Sequence, residues 1–326
     1  MNNCKEFAFV GVDISKSFFD VCFLDAKGQF VQQRINQNPK GYRQLANAIP
    51  EGAVCVMEAT STYHLPLTLW LYNHGIQVVV ENPLKIKRFS QMHLQRHKTD
   101  KADARIIYEY GTTIVAQKVT LWQPQPVEIQ ELQQCDSLSR RLNKELTAIT
   151  NTHEALAQLD VVNSEVKRIV NNTIKQLKTA LHQLDEHMQK LIKKHYQESY
   201  DLLRSIPGVG PKTSVMLICQ TSNFTKFDNV KKFLSYIGMS PRTYESGTSV
   251  KGKGHITKVG NGRLRSLLYM CSWTAKTCNP QCVSVYEKMH KKGKPEKVIK
   301  VAIAHKLLRQ VFGVIKHQKP FSSNLA

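Results

Sequence analysis

The sequence has no long apolar run. Its N-terminal apolar stretch, residues 7–12, is too short to cross a bilayer, and the N-terminus lacks a basic region followed by an apolar stretch and a small-residue cleavage site. We therefore expect no export signal, no membrane partner and a cytoplasmic location.

Cysteine motifs are also missing. The eight cysteines are scattered without a Cys-x-x-Cys pair, and no His pair follows Cys278 and Cys282 at zinc-finger spacing. We interpret the cysteines as reduced thiols of the cytoplasm.

Acidic residues are scarce. The chain has 25 Asp and Glu against 46 Lys and Arg, a formal net charge of +21. The excess lies mainly in residues 200–326, which carry +17, whereas residues 1–125 carry +4 and residues 126–199 are neutral. A basic excess of this size favours a polyanionic partner. We therefore predict that the C-terminal third binds nucleic acid.

Four of the few acids have a distinctive placement. Asp13 and Glu58 each end a short apolar run that predicts a β-strand. Asp100 and Asp103 lie three residues apart on one face of a predicted helix that Thr99 would cap. Singly, such acids are common turn or cap residues. Together they predict an oxygen-rich cage for a hard divalent cation and phosphodiester chemistry.

The N-terminal pattern is α/β. Three predicted strands precede any helix, and helices and strands then alternate. This is the element order of a ribonuclease-H-like fold, although other α/β folds share it. The strands are expected near residues 7–13, 18–24, 30–35, 53–58 and 76–80, and the helices near 38–49 and 63–74.

The middle segment predicts two helices, with a break at residues 159–164. Their apolar stripes are narrow and heptad-like, which favours a coiled-coil hairpin for oligomerisation over two helices packed on their own domain. The stripes are Leu132, Cys135, Leu138, Leu142, Leu146, Ile149 and Val166, Val170, Ile174, Leu177, Leu181, Leu184, Met188, Leu191.

A glycine-rich turn follows at residues 206–210. Gly208 and Gly210 permit a tight turn between helices, and Lys212 adds charge at the next helix start, as in a helix-hairpin-helix motif that binds a phosphate. A plain turn between two helices is the alternative. Such a motif would contact the nucleic-acid backbone and would not read its sequence.

Residues 244–265 combine hydroxyls, glycines and cations. A serine there is either a hydrogen-bond donor to phosphate or a nucleophile toward phosphorus. The second role needs cations around the phosphate. The hydroxyl residues are Ser246, Thr248 and Ser249, and the cations are Lys251, Lys253, Lys258 and Arg263.

Five blocks of the chain resemble, in order, the DEDD transposases of the insertion-sequence family numbered one-ten, a group that includes the pilin-gene invertase Piv. The resemblance covers essentially the whole chain. The blocks are Gly11-Val-Asp-Ile-Ser-Lys16, Met57-Glu-Ala-Thr60 followed by Tyr63, Lys98-Thr-Asp-Lys-Ala-Asp-Ala104, Ile206-Pro-Gly-Val-Gly210 and Tyr244-Glu-Ser-Gly247.

The resemblance implies a RuvC-like domain at 1–125, a coiled-coil connector at 126–199 and a mostly helical transposase domain at 200–326. It implies recombination of double-stranded DNA guided by a structured bridge RNA, in a cytoplasmic, nucleoid-associated protein. The implied Mg²⁺ ligands are Asp13, Glu58, Asp100 and Asp103. Ser246 is the implied nucleophile, in active sites shared between protomers of a dimer or tetramer.

One departure from the family is Ser61, where many relatives have glycine. Three other functions stay open: a RuvC-like junction-resolving nuclease that needs only the acids, a site-specific invertase with the same chemistry, and a basic DNA-binding protein without catalysis. The acids together with Tyr244-Glu-Ser-Gly247 favour the serine recombinase.

Overall fold

The computed structural model describes residues 8–92, 100–242, 245–246, 250–251 and 255–323, with the backbone alone described at 100–102, 245–246 and 250–251. The chain divides into two compact units, Met1–Pro124 and Gln125–Ala326.

The first unit is built on a five-stranded sheet with the strand order β3-β2-β1-β4-β5. β1 to β3 form an antiparallel meander, and β4 and β5 run parallel to β1. The strands are β1 (Phe9–Ile14), β2 (Phe18–Leu24), β3 (Phe30–Asn36), β4 (Val54–Glu58) and β5 (Gln77–Glu81). The predicted meander followed by alternating elements is confirmed, and it is consistent with a ribonuclease-H-like domain.

Four helices cover the two faces of this sheet. Helix α1 begins where predicted because the Asn38 side chain accepts a hydrogen bond from the Gly41 amide at 2.8 Å. One core lies under α1 and α2 and the other under α3 and α4, so the unit has three layers. The helices are α1 (Pro39–Ala48), α2 (His64–Asn73), α3 (Pro83–Met92) and α4 (Asp100–Thr113).

The second unit begins with two long helices, α5 (Val127–Leu156) and α6 (Ser164–His195). They run antiparallel, because Glu128 in the first turn of α5 lies 3.7 Å from His195 in the last turn of α6. Asn163 caps α6 at the predicted break. The middle of the predicted stripe, from Ile174 to Leu184, is only partly buried within one chain. Coiled-coil pairing stays a prediction.

The rest of the second unit is a helical bundle with one core, which also takes in the first turns of α5 and the last turns of α6. Among the described residues, no helix is both long and apolar enough to span a membrane. The helices are α7 (Gln197–Arg204), α8 (Pro211–Thr221), α9 (Val230–Ile237), α10 (Gly262–Cys278), α11 (Pro280–Lys291) and α12 (Glu296–His317).

In its described residues, the segment between α9 and α10 holds four two-residue strands that form two antiparallel pairs. We call residues 239–260 the serine arm. The sequence pattern predicted only a glycine-rich loop here, because so short a pairing leaves no apolar alternation to detect. The strands are β6 (Pro241–Arg242), β7 (Glu245–Ser246), β8 (Val250–Lys251) and β9 (His255–Ile256).

Candidate active site

Asp13 and Glu58 lie side by side at one edge of the sheet. In the parallel pairing of β1 with β4, Val12 lies opposite Met57, so the next residues along each strand are these two acids. Both are partly buried. Two neighbouring parallel strands therefore present their terminal carboxylates at the same end.

Both acids are also on the face of the sheet that α4 covers. A Cβ built on Gly11 would lie only 2.3 Å from the Ala104 carbonyl oxygen, so the backbone of α4 rests directly on β1 there. Side chains alternate along a strand, and Asp13 is therefore on the Gly11 side. The same alternation places Glu58 with Val56, whose Cγ2 lies 3.2 Å from a Cβ built on Gly111 of α4.

Helix α4 runs opposite to β1. Gly11 lies against Ala104 and Tyr108, whereas the earlier strand residue Phe9 lies against the later helix residue Gly111. The first turn of α4 therefore lies toward the strand end that carries Asp13. That turn contains Asp103, which is partly buried, and begins at Asp100.

We call Asp13, Glu58, Asp100 and Asp103 the acid edge. The side chain of Asp100 lies outside the described residues, and among the described side chains no three His, Cys, Asp or Glu are grouped closely enough to hold a metal ion. The donor set consists of carboxylates alone, which suits a hard divalent cation.

A fifth acid at this edge, Glu81, ends β5 opposite Glu58. Sequence reasoning missed it, although it follows an apolar run as the other two acids do. Its carboxylate pairs with Lys85 Nζ at 2.8 Å. Burial, with Glu81 nearby, raises the pKa of Tyr110 to about 12. Glu81 is thus engaged in a structural ion pair.

The turn after Glu58 is strained. Ser61 has φ of +48°, a left-handed conformation that favours glycine. The turn is held by the Thr60 amide, which donates to the Glu58 carbonyl at 2.8 Å, and by the Tyr63 amide, which donates to the Thr60 carbonyl at 3.1 Å. This backbone explains why a glycine fits the position.

The α7–α8 turn gives its two glycines different roles. Gly208 has φ of +96°, and a Cβ there would lie 2.7 Å from the Ala275 Cβ, so packing against α10 requires glycine. Around a Cβ built on Gly210, by contrast, no atom of the described residues beyond its two chain neighbours lies within 4 Å. Gly210 immediately precedes α8, and Lys212 in the first turn is exposed. The open space at this helix start is the part of the turn that a phosphate could approach.

The serine arm carries the other predicted site residues. Ser246 pairs through its backbone with Val250, and the side chains of Ser246 and Lys251 lie outside the described residues. Thr248, Ser249 and Lys253 also lie outside the described residues. Lys258 is exposed at the base of the arm, with φ of +56°.

Arg263 has a protein partner. Its guanidinium donates to the carboxylate of Asp136, a residue of α5 that is only 1% exposed. Burial lowers the pKa of Arg263. Sequence reasoning assigned Arg263 to phosphate and overlooked Asp136, because the two residues are 127 positions apart.

Comparisons with known proteins identify the family of the chain. Residues 10–161 match a DEDD transposase family model, and residues 200–287 match the model described as "Transposase IS116/IS110/IS902 family". A pilin gene-inverting protein of Moraxella bovis is 30% identical over 97% of this chain and 98% of its own length. The transposase for insertion sequence element IS1111A of Coxiella burnetii is 25% identical over 81% of this chain and 76% of its own length.

These matches define the class of protein as a DNA-acting transposase or recombinase. The chain belongs to the IS110 family of transposases. Members of this DEDD type typically use divalent metal ions.

Proposed function

We propose that this protein is a transposase that cuts and rejoins double-stranded DNA through a serine-linked intermediate. The acid edge holds Mg²⁺, and Ser246 supplies the nucleophile. The observation that carries the proposal is the placement of Asp13 and Glu58 on adjacent parallel strands beneath the first turn of α4. Asp103, in that turn, would add an oxygen donor from a third element.

The residues divide the chemistry between them. The Ser246 oxygen forms a bond to phosphorus while the bond from phosphorus to a deoxyribose oxygen breaks. The serine proton passes to a base, and the departing oxygen gains a proton. The carboxylates of the acid edge would hold Mg²⁺, which when bound would supply Lewis-acid stabilisation of the charge on the phosphate. The phosphoserine ester conserves the phosphodiester energy, so the strand can be resealed without an external energy source.

The nucleophile is tested with three matched variants. Reactions with DNA are stopped with denaturant and examined for a protein band shifted by covalently attached DNA. We expect Ser246→Ala to lose this band and Thr248→Ala and Ser249→Ala to retain it. An adduct that persists in Ser246→Ala and vanishes in Ser249→Ala would move the nucleophile by three residues. Wild-type cleavage without any adduct would favour water and the junction-resolving nuclease.

We further propose that a bridge RNA guides the reaction. Residues 200–326 carry +17, which favours polyanionic partners, and the α7–α8 turn would contact a phosphate in the manner of a helix-hairpin-helix motif. Sequence choice then resides in base pairing, as in other RNA-guided enzymes. RNA that copurifies with the protein should form one structured species. Full activity after ribonuclease treatment and repurification would contradict guidance.

Inversion is a second candidate. The relative that is 30% identical over nearly its full length is described as a pilin gene-inverting protein. The same cut and rejoining steps on two inverted sites would invert the segment between them. A plasmid with inverted sites and a plasmid with separate donor and target sites distinguish the two, because each function should give product from one plasmid only.

A further inference from the structure

Asp136 is a buried carboxylate with an unusual number of partners. It lies on α5 and is 1% exposed. Besides the ion pair with Arg263, one of its oxygens accepts a hydrogen bond from Gln220 Nε2 at 3.2 Å and lies 3.7 Å from Arg140 Nε. A buried charge is costly unless it is paired and hydrogen-bonded, and breaking such a pair is more costly still. Loss of the contacts between Asp136 and its partners is therefore expected to be strongly unfavourable.

The network continues to the end of the serine arm. Gln220 Oε1 accepts a hydrogen bond from Asn261 Nδ2 at 2.9 Å. The Asn261 side-chain oxygen in turn caps α10 by accepting from the amides of Arg263 and Leu264, each at 3.1 Å. Asn261 is the residue immediately after the arm. Asp136 thus contacts the junction of the arm with α10 in two ways. It pairs directly with Arg263, and it is linked to Asn261 through Gln220.

The two ends of the arm are also fixed to each other. Gly238 and Gly260 flank it with φ of +79° and +135°, and a Cβ on Gly260 would lie 2.2 Å from the Tyr236 carbonyl oxygen. The Thr257 amide donates to the Ser240 carbonyl at 3.0 Å, and the Lys258 amide donates to the Gly238 carbonyl at 3.1 Å. The contacts at the α10 end of the arm therefore also hold its other end, next to α9.

We propose that Asp136 and Arg263 are positioning residues: their ion pair fixes the base of the serine arm relative to α5. In this proposal Arg263 does not bind phosphate. This rests on the proposed role of Ser246. The guanidinium of Arg263 is paired with a buried carboxylate, and the Arg263 side chain is only 25% exposed. Placement of a nucleophile within a fraction of an ångström governs its rate, so a loosened base should slow the covalent step while leaving DNA affinity unchanged.

A double-mutant cycle tests this with the full-length protein. Asp136→Asn and Arg263→Gln should each lower the rate of covalent adduct formation at saturating DNA by about 10- to 100-fold, as expected for a misplaced reacting group. The double variant should be no slower than the slower single variant, because both break one interaction. The DNA concentration for half-maximal rate and the slope of binding against log salt should match those of wild type.

The salt slope separates positioning from phosphate binding. If Arg263 contacts a phosphate, Arg263→Gln should reduce the slope by about 0.9, whereas Asp136→Asn should not reduce it. That result, or an Asp136→Asn protein with the wild-type adduct rate, would overturn the proposal. Additive losses in the double variant would overturn it as well.

Asn261→Asp covers the case in which the buried variants fail to fold. It keeps the oxygen that caps α10 but removes the amide that donates to Gln220. We expect an unchanged melting temperature and an adduct rate several-fold below wild type. An unchanged rate would count against the network. Ser246→Ala is measured in parallel. If it still forms adduct, the proposed nucleophile is wrong, and the rate of strand cleavage is then the quantity compared in the double-mutant cycle.

Discussion

The acid edge and the base of the serine arm depend on different kinds of interaction. In the first unit, the acids lie at or near the ends of elements whose course is set by their own neighbours: Asp13 is one residue before the end of β1, Glu58 ends β4, and Asp100 begins α4. At the arm, the deciding contacts join α5, α8 and α10 through Asp136, Gln220 and Arg263. The first arrangement follows local pattern and the second follows tertiary contact.

The first unit and residues 200–326 also differ in charge. The first unit has 14 Lys and Arg against 10 Asp and Glu, and four of these acids form the acid edge, whereas residues 200–326 carry 22 Lys and Arg against 5 Asp and Glu. An edge of carboxylates repels DNA unless a cation intervenes, and a basic surface attracts it. Binding and chemistry are therefore expected to respond to different substitutions.

The largest effect should come from the acid edge. Asp103→Asn removes a charged oxygen donor, and loss of one metal ligand should slow strand cleavage about 100-fold or more, since Lewis-acid stabilisation is worth several kcal/mol. Glu81→Gln is the matched control, because Glu81 lies at the same edge but pairs with Lys85. Cleavage rates at saturating Mg²⁺ decide the matter. If Asp103→Asn and Glu81→Gln lost the same fraction of the cleavage rate, the distinction between Asp103 as a metal ligand and Glu81 as an ion-pair residue would be wrong.

Charge removal in the second unit should affect binding alone. Lys288, Lys291 and Lys292 are exposed on or just after α11, and replacing all three with Gln should reduce the salt slope of DNA binding by up to about 3. The control is the same change at Lys175, Lys178 and Lys190, which are exposed on α6 in the neutral segment. A larger change in the control would show that the helical pair is the DNA-binding surface.

Packing between β1 and α4 is tested at Gly11. Its Cβ in Gly11→Ala would meet backbone atoms of Ala104 and Tyr108 at 2.3 Å, so we expect a loss of about 1 to 3 kcal/mol in the free energy of unfolding. The comparison is Gly313→Ala in α12, where, apart from the adjacent residues and nearby backbone of the same helix, no atom of the described residues lies within 4 Å of the new Cβ. A helical Gly→Ala change there should stabilise by up to about 1 kcal/mol. Denaturant midpoints measure both, and a stable Gly11→Ala protein would contradict the close approach of α4.

The smallest effect is expected at Ser61. Ser61→Gly relieves the left-handed conformation and should raise the free energy of unfolding by up to about 1 kcal/mol. Cleavage should stay within a factor of two, roughly, because Glu58 keeps its place on β4. Thermal unfolding supplies the measurement. A lower melting temperature would mean that the Ser61 side chain stabilises the turn more than its backbone strain costs.

Much of the first unit could be predicted from the sequence, because strand and helix periods and the Asn38 cap are local signals. Those signals placed Asp13 and Glu58 at strand ends. They could not distinguish Glu81, whose role depends on Lys85 and Tyr110, nor pair Arg263 with Asp136. Nor could they show that Gly208 is required by Ala275 while Gly210 borders open space. Such distinctions depend on residues that are distant in the chain and meet only after packing.

The opposed course of α4 and β1 has a consequence for the protein during its synthesis. Asp13 and Glu58 leave the ribosome well before Asp103, and β1 has no helix against Gly11 until α4 docks there. A nascent chain therefore holds only half of its carboxylates at the edge until residue 113 has emerged. An aborted translation product that ends before residue 100 would lack Asp100 and Asp103, so it could not complete the proposed metal site.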